Sequence, residues 1–401
     1  MSEVFKKNKV IVASLYYKPY YGGVENSLYY ISKSLIRKGC VVEILASNRT
    51  PSGGVINDSV DDIIKINRFK YPRYTLSIFK PLMIILSVLS ALNRLKVDKD
   101  AIILCRNHLV VLGFYLYGIK NITYIVPSLI DGLDTKFNKD NISFLELIKK
   151  SLIQFLIVSQ SIVIQKIAFS YSRKIVVFSN MMRNQILSKY NSVRPKVSVI
   201  SPGVDRSRFN RLSLDLDSIN TCDNHRITFL CMARLAESKG YNDVVDAMEL
   251  LDEGVLHRIR VLIVGDGPEK LKLETKVEKL KLGSVIKFYP STTEPEKYYK
   301  MSDYFFMTSR YESFGQTIIE SFSSGVPVLA YNSESIDTAS SEIISHGYNG
   351  FLCDLNNYDL AALISRVVSI RKHDKELINL NCIETSKKYS WDRFVEMCIN
   401  S

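Results

Sequence analysis

Apolar residues recur along this chain with two different periods. Short β-rich runs alternate with longer stretches in which apolar positions return every three to four residues. "KVIVASLYY" (9–17) has the strand pattern, "KPYYGGVE" reads as a turn, and "NSLYYISKSLIRKG" reads as an amphipathic helix closed by Lys-Gly. "VVEILAS" (41–47) is the next strand, so the chain opens with a βαβ unit and a parallel sheet is expected. The pattern returns in "AIILC" (101–105), "NITYIVP" (121–127), "KIVVFS" (174–179) and "KVSVIS" (196–201). A polar stretch without a period, 206–225, reads as a linker. A second series then begins with "RITFLCMAR" (226–234) and continues through "RVLIVGDG" (260–267), "SVIKFYP" (284–290), "DYFFMTS" (303–309) and "VPVLAY" (326–331). The prediction is an α/β protein of two doubly wound domains in tandem, 1–205 and 226–385. A last helix, 386–401, is expected to pack back toward the first domain. Ligands belong where the C-terminal ends of strands border a crevice.

Three stretches run 13 to 15 residues without a charge: 81–93, 107–119 and 151–165. Each is shorter than the roughly 18 to 20 apolar residues a spanning helix needs, so each reads as a core helix. Segment 144–174 differs, because cations stand before and after its apolar run, as in a helix lying on an anionic membrane face.

Charge sharpens this picture. The 401 residues carry a net +12, but residues 1–200 hold 29 Lys+Arg against 12 Asp+Glu, a local net of +17. The first half therefore suits an anionic partner, whereas the second half is mildly acidic. The seven cysteines are scattered and never spaced Cys-x-x-Cys, which argues against a disulfide framework or a zinc site and fits a reducing cytosol. The N-terminus lacks an apolar stretch followed by a small-residue cleavage site, so no signal peptide is expected.

Candidate chemistry concentrates in "TSRYESFGQTIIESFSSGVPVLA" (308–330), where Glu312 and Glu320 flank a turn and the start of a helix. Backbone N–H groups at Phe314, Gly315, Gln316 and Thr317 would point out of that helix N-terminus, where unpaired donors and the helix dipole favour phosphate. Glu320, about one turn inside, is positioned to accept ribose hydroxyls, and Glu312 faces whatever the phosphate carries. "CMARLAESKGYNDVVDAMELL" (231–251) places Arg234 and Lys239 on a loop after a strand, where two cations can meet a diphosphate. Taken one by one, such glutamates and cations are most often solvated surface.

The combination resembles the nucleotide-sugar half of the retaining GT-B glycosyltransferases, glycosyltransferase family 4 or group 1. "ARLAESKG", "VGDGP", the Glu-x7-Glu of "ESFGQTIIE", "SSGVPVLA" and "HGYNGFL" carry the resemblance. "YYGGVENSLYYISKSL" resembles the family's N-terminal glycine loop, "SPGVDRSRF" its linker entry and "SWDRF" (390–394) its final helix. It implies a GT-B fold, two Rossmann-like domains facing across a cleft. It puts the donor diphosphate on Arg234, Lys239 and the backbone after Phe314, has Gly22 and Gly23 approach the same phosphates, and counts Gly265, Ser313, Gly315, Gln316 and Thr317 among the donor-binding residues. Glu320 would take the ribose, and the transferred sugar would lie near Glu312 and Phe314, with Glu312, Arg234 and Lys239 as the catalytic set.

The resemblance implies transfer of a hexose from a UDP- or GDP-sugar, with retention, to a hydroxyl of a glycan acceptor, a lipid-linked one given the basic first half. Bacterial surface polysaccharide assembly (O-antigen, capsule or lipopolysaccharide) is the expected setting, with the protein cytoplasmic and peripheral on the inner face of the membrane. No metal, cofactor or nucleic-acid partner is expected. Asp98-Lys-Asp100 and Asp215-Leu-Asp217 have the Asp-x-Asp spacing of metal-dependent transferases, but one precedes a strand and the other lies in the linker. The family's donor-contacting histidine after the strand at 121–127 is replaced by Pro127, Ser128 and Asp131, and its glycine after the strand near 286 by Pro290. His108 lies at the exit of the previous strand. A nucleotide-sugar epimerase and a silent nucleotide-sugar-binding protein are the competing readings; an oxidoreductase would need a Gly-x-Gly-x-x-Gly that "YYGGVENS" lacks.

Overall fold

A computed structural model of the chain describes residues 8–20, 22–61, 63–130, 144–210, 226–334 and 336–400, with the backbone alone over 144–154. Asp131, Asp215, Asp217 and the 211–225 part of the expected linker lie outside the described residues. The chain divides into two compact units, Met1–Ser201 with Trp391–Ser401, and Pro202–Ser390.

The first unit holds strands β1 (Lys9–Ala13), β2 (Val41–Ser47), β3 (Ser59–Asp61) and β4 (Ile64–Phe69), followed by β5 (Ile102–Cys105), β6 (Ile122–Ile125), β7 (Lys174–Val177) and β8 (Val197–Val199). They form one sheet in the order β3-β4-β2-β1-β5-β6-β7-β8, parallel except for β3 against β4. Its helices are α1 (Gly23–Arg37), α2 (Lys80–Leu95), α3 (His108–Tyr117), α4 (Phe144–Tyr171) and α5 (Asn180–Lys189). Strands such as β6 and β7 are buried at every position, which is why they read as continuous apolar runs. One core face joins Ile103, Tyr124 and Ile175 of the sheet to Ile84, Val88 and Leu92 of α2 and Val110 and Phe114 of α3.

Helix α2 departs from the expected core helix. Ile84, Ile85, Val88, Ala91 and Leu92 are buried, while Leu82, Met83 and Leu86 face outward. With the turn before it, Ser77–Leu95 is long and apolar enough to cross a membrane by composition, yet one side of it belongs to the core of this unit.

The second unit begins with α6 (Arg206–Phe209), so the stretch read as linker starts as packed structure: Phe209 is buried edge-on to Tyr299, and Arg208 pairs with Glu296 at 2.9 Å. There follow β9 (Ile227–Met232), α7 (Tyr241–Glu249), α8 (Glu253–Leu256), β10 (Ile259–Val264), α9 (Lys270–Lys279), β11 (Ile286–Tyr289), α10 (Pro295–Lys300) and β12 (Tyr304–Met307). Next come β13 (Tyr311–Glu312), α11 (Gln316–Ser323), β14 (Val328–Tyr331), β15 (Asp337–Thr338) and α12 (Ser340–Ile343). β16 (Gly350–Cys353), α13 (Asn357–Val368) and α14 (Lys372–Ser386) complete the unit. Six strands form a parallel sheet in the order β11-β10-β9-β12-β14-β16.

The last helix, α15 (Trp391–Ile399), belongs to the first unit, where it packs on α1. The Trp391 ring stacks on Tyr30 at 6.0 Å, Asp392 accepts hydrogen bonds from Ser34 and Arg37, and Lys38 pairs with Glu396. The apolar stripe of Trp391, Phe394, Val395 and Cys398 is buried, as its spacing requires.

Candidate active site

In the second sheet the chain passes from β9 to β10 and β11 on one side, then returns to the other side with β12, β14 and β16. Adjoining strands β9 and β12 therefore flank the topological switch point, where an open α/β sheet leaves a crevice at its strand ends. Arg234 and Lys239 lie on the loop leaving β9, and Glu312 to Gly315 on the loop leaving β12. Two loops that are 73 residues apart in sequence thus leave neighbouring strands, and Lys239 Nζ meets Glu312 Oε2 at 2.9 Å.

Backbone contacts hold both loops. The Leu235 N–H donates to Asp266 O at 2.9 Å, and Glu269 N–H donates to Leu235 O at 3.0 Å, tying the Arg234 loop to the "GDGP" turn. Gly265 allows this contact: a Cβ there would fall 2.1 Å from Ala233 O, and its φ is +148°. In the same turn, Asp266 accepts the Ser291 N–H and pairs with Lys270, which holds its carboxyl down at about 2. The Lys239 turn is tied to the other loop, since Thr308 Oγ1 donates to Lys239 O at 2.9 Å and Arg310 N–H to Ser238 O at 2.8 Å. Gly240, at φ +68°, permits this approach, because a Cβ would sit 2.1 Å from Thr308 O.

Glu312 does not lie in a simple turn, as the sequence suggested. Tyr311 and Glu312 form β13, paired in parallel with Asp337 and Thr338 of β15, and Ala339 N–H donates to Glu312 O at 3.2 Å. Its backbone is fixed from a third loop. Asp243 of α7 fixes the same segment from below: its carboxylate accepts two hydrogen bonds from Arg310 Nη2, at 2.8 and 2.7 Å, and one from the Tyr331 hydroxyl at 3.0 Å. Asp243 is buried, and the sequence reading missed both it and Arg310. The available signal was an acid placed beside Val244 and Val245 at the apolar start of α7.

Helix α11 begins at Gln316, where the sequence pattern starts it; Gly315 is its N-cap at φ +97°, and no side chain caps it. Phe314 is buried against the edge of Tyr389, with ring centroids 5.8 Å apart, and Ser313 is half-buried before it. Phe314 therefore anchors the loop by its ring. Gln316 Nε2 donates to Gly203 O at 2.9 Å, and Thr317 Oγ1 turns toward Met307 Sδ at 3.6 Å. Glu320 is half-buried on α11, where the Tyr299 hydroxyl donates to it at 3.4 Å. Burial pushes its carboxyl up to about 7 against the opposing pull of Arg208 and Tyr299. Arg234 is exposed on its loop.

In the first unit Gly22 and Gly23 stand at the start of α1, after β1, and β1 and β5 flank that sheet's own switch point. At the exit of β5 lies Arg106, also missed: it is buried, donates to Ser27 Oγ, and lies 4.9 Å over the Phe178 ring. Burial pulls this guanidinium down to about 10. His108 opens α3 behind the N-cap Asn107, and burial lowers its imidazole to about 4, so it is neutral at pH 7. Asp98 and Asp100 share a tight turn in which Asp98 Oδ1 accepts the Asp100 N–H at 3.0 Å. Among the described residues no group of three or more His, Cys, Asp or Glu is arranged to hold a metal.

The chain resembles known proteins in part of its sequence and in its fold. Residues 216–381 match the family model described as glycosyl transferases group 1. The chain is 26% identical over 193 residues to the amylovoran biosynthesis glycosyltransferase AmsD of Erwinia amylovora, covering 48% of this chain and 51% of that one. It is 37% identical over 100 residues to the O-antigen biosynthesis glycosyltransferase WclY of Escherichia coli, covering 25% and 27%. The match thus spans between about a quarter and a half of the length of these relatives. Among solved structures, WaaG, a glycosyltransferase involved in lipopolysaccharide biosynthesis, superposes with a TM-score of 0.74 at 13% identity, over 97% of this chain and 98% of that one. Anabaena HepE in complex with UDP and glucose gives 0.68 at 17% identity, over 98% and 97%. The fold is GT-B, two Rossmann-like α/β units in tandem, and residues 216–381 in the second unit are similar in sequence to the group 1 glycosyl transferases.

Proposed function

We propose that this protein transfers a hexose from a UDP- or GDP-sugar to a hydroxyl of a lipid-linked glycan, with retention, in assembly of a bacterial surface polysaccharide. The observation that carries the reading is the meeting of Lys239 and Glu312 at the switch point, beside the N-terminus of α11, which no side chain caps. That is a constellation for a diphosphate bearing a polar group. Support for the donor class comes from the shared fold with a protein holding UDP and glucose, and for the setting from relatives named for amylovoran and O-antigen biosynthesis.

In this reading Arg234, Lys239 and the N–H groups opening α11 take the diphosphate, and Glu320 takes the ribose. The sugar C1–O bond breaks with its electron pair passing to the β-phosphate oxygen, whose charge these donors stabilise. The acceptor hydroxyl forms the new bond on the same face, and its proton passes to the departing phosphate oxygen. Glu312 orients the sugar; Lys239 exchanges the carboxylate for phosphate when donor arrives. Gly22 and Gly23 are assigned to the donor phosphates as well, no metal is invoked, and the protein works on the cytoplasmic face of the membrane.

The test is release of nucleoside diphosphate by purified protein from a panel of UDP- and GDP-sugars, with bacterial lipid extract as acceptor. Release from one donor, dependent on the extract and lost in Glu312→Ala, is expected. Conversion of a nucleotide sugar to its epimer without acceptor, or tight nucleotide binding with no turnover on any donor, overturns the reading.

A further inference from the structure

The first unit carries an outward surface that the site does not use. Tyr74 and Leu76 precede α2 and are strongly exposed, and Phe79, Leu82, Met83 and Leu86 continue the exposure at 54%, 52%, 40% and 48%. On a helix of 3.6 residues per turn, positions 79, 82, 83 and 86 fall within an arc of roughly 100°, so these side chains make one strip. α4 packs against the Ser77–Phe79 turn and itself exposes Phe155 and Leu156. Isolated exposed apolar residues need no explanation, but a contiguous strip of large ones does.

Two long stretches of this unit carry charge of one sign. Residues 63–97 contain seven Lys or Arg and no Asp or Glu, and residues 147–204 contain nine and none. Further along the same side of α2 the strip gives way to Ser87, Ser90 and Arg94, which line a cleft of about 730 Å³ together with Arg68, Lys70 and Asn48. Asp58, the carboxylate in that lining, is already engaged: it accepts the Arg68 N–H and pairs with Arg94 at 3.5 Å. Lys70 is exposed at the cleft and Lys80 is half-buried at the start of the helix. An apolar strip two turns long, running into a cationic polar region, is the composition of an interfacial helix on an anionic bilayer.

We propose that the outward face of α2 and the turn before it, from Tyr74 to Leu86, is the membrane-docking surface of this protein, with Phe79, Leu82 and Leu86 entering the acyl boundary of an anionic bilayer and Lys70 and Lys80 meeting headgroup phosphates. The helix lies on the surface and does not span it, because Ile84, Val88 and Leu92 are committed to the core. The inference deepens the membrane partner of the proposed function and rests on that reading for its purpose.

The experiment is co-sedimentation of the purified full chain with phosphatidylcholine vesicles, with and without phosphatidylglycerol, across a salt series. The unaltered protein is expected to bind the anionic vesicles and to release with salt. Phe79→Ser/Leu82→Ser/Leu86→Ser should weaken partitioning at least tenfold with the melting temperature and calorimetric UDP affinity unchanged, and Lys70→Glu/Lys80→Glu should remove most of the salt dependence. If the triple variant fails to fold, Leu82→Glu alone, at a half-exposed position, should lower binding to the anionic vesicles several-fold. Leu271→Ser, an equally apolar and more exposed position in the second unit, should leave binding intact. Vesicle binding by the triple variant equal to that of the unaltered chain overturns the proposal. So does an unaltered protein that ignores anionic vesicles, or one that forms a dimer in sedimentation velocity which the triple variant dissolves, a second copy then being the occupant. Vesicle binding and donor turnover are read separately, so failure of one leaves the other standing.

Discussion

The two doubly wound units cover their sheets in contrasting ways. In the second unit the outer helix α9, "KLKLETKVEK", buries Leu273 and Val277 and presents mostly charge to water. In the first, α2 buries one apolar stripe and presents another. The same contrast holds for the loops at the strand ends. Those of the second unit are tied to one another by backbone hydrogen bonds around Lys239 and Glu312, whereas the first unit contributes a buried arginine and a broad basic exterior. A small charged ligand needs donors fixed to within a fraction of an ångström, while an extended surface needs area and sign of charge. On the two proposals made above, one architecture would serve both demands by placing them in different units.

The largest effect expected on the second unit's side is from the ion pair itself. Lys239→Ala and Glu312→Ala should each lower turnover by about 10²-fold or more, with melting temperature changed little, since the pair is partly exposed. Transfer kinetics beside differential scanning calorimetry check this, and full activity in either variant breaks the assignment. Gly240→Ala should cost about 2 to 4 kcal/mol of stability, because a Cβ meets Thr308 O and φ is positive; urea unfolding measures it. A loss under 1 kcal/mol would mean that the two loops are not held together as described.

Glu320 supplies a subtler test. Its carboxyl sits at about 7 in the folded chain against an ordinary 4.5, so in that window the folded state holds a proton that the unfolded state has released. The stabilisation is therefore complete below about pH 4.5 and is lost as pH rises through about 7. Glu320→Gln should flatten this slope and stabilise the ligand-free protein at pH 8 by up to about 3 kcal/mol, while weakening donor binding. Unfolding curves at several pH values decide it, and an unchanged slope removes the special environment. Smaller still, Asp243→Asn keeps the shape but loses the charge on Arg310 and should lower turnover by about tenfold through a looser Glu312 segment. Loss confined to stability would make Asp243 a packing residue only.

How far these features were legible in the sequence depends on their range. Fully buried parallel strands announce themselves as apolar runs, and the loops bearing Arg234, Lys239 and Glu312 follow such runs at once, so the position of these residues at the strand ends was visible. β13 and β15 were not, because a two-residue strand has no period, and Glu312 passed for part of a turn. Asp243 and Arg106 were missed for a related reason. A single charge on a helix or strand end looks solvated until a partner from elsewhere, Arg310 or Ser27, is seen. The exposed strip of α2 was misread because a helix apolar on nearly all sides has the signature of a buried one. The start of the 206–225 segment was misread because four residues of helix, anchored by Phe209, fall below what periodicity can detect.

The allocation of α15 to the first unit has a consequence for how the gene can be cut. The second unit, Pro202–Ser390, is one uninterrupted stretch of coding sequence, whereas the first is encoded in two pieces separated by the whole of the other. Removal of residues 391–399 would thus spare the unit they directly follow and strip Tyr30, Ser34 and Lys38, on and just after α1, of their cover. The first unit therefore gains its last helix only after the whole of the second has been made.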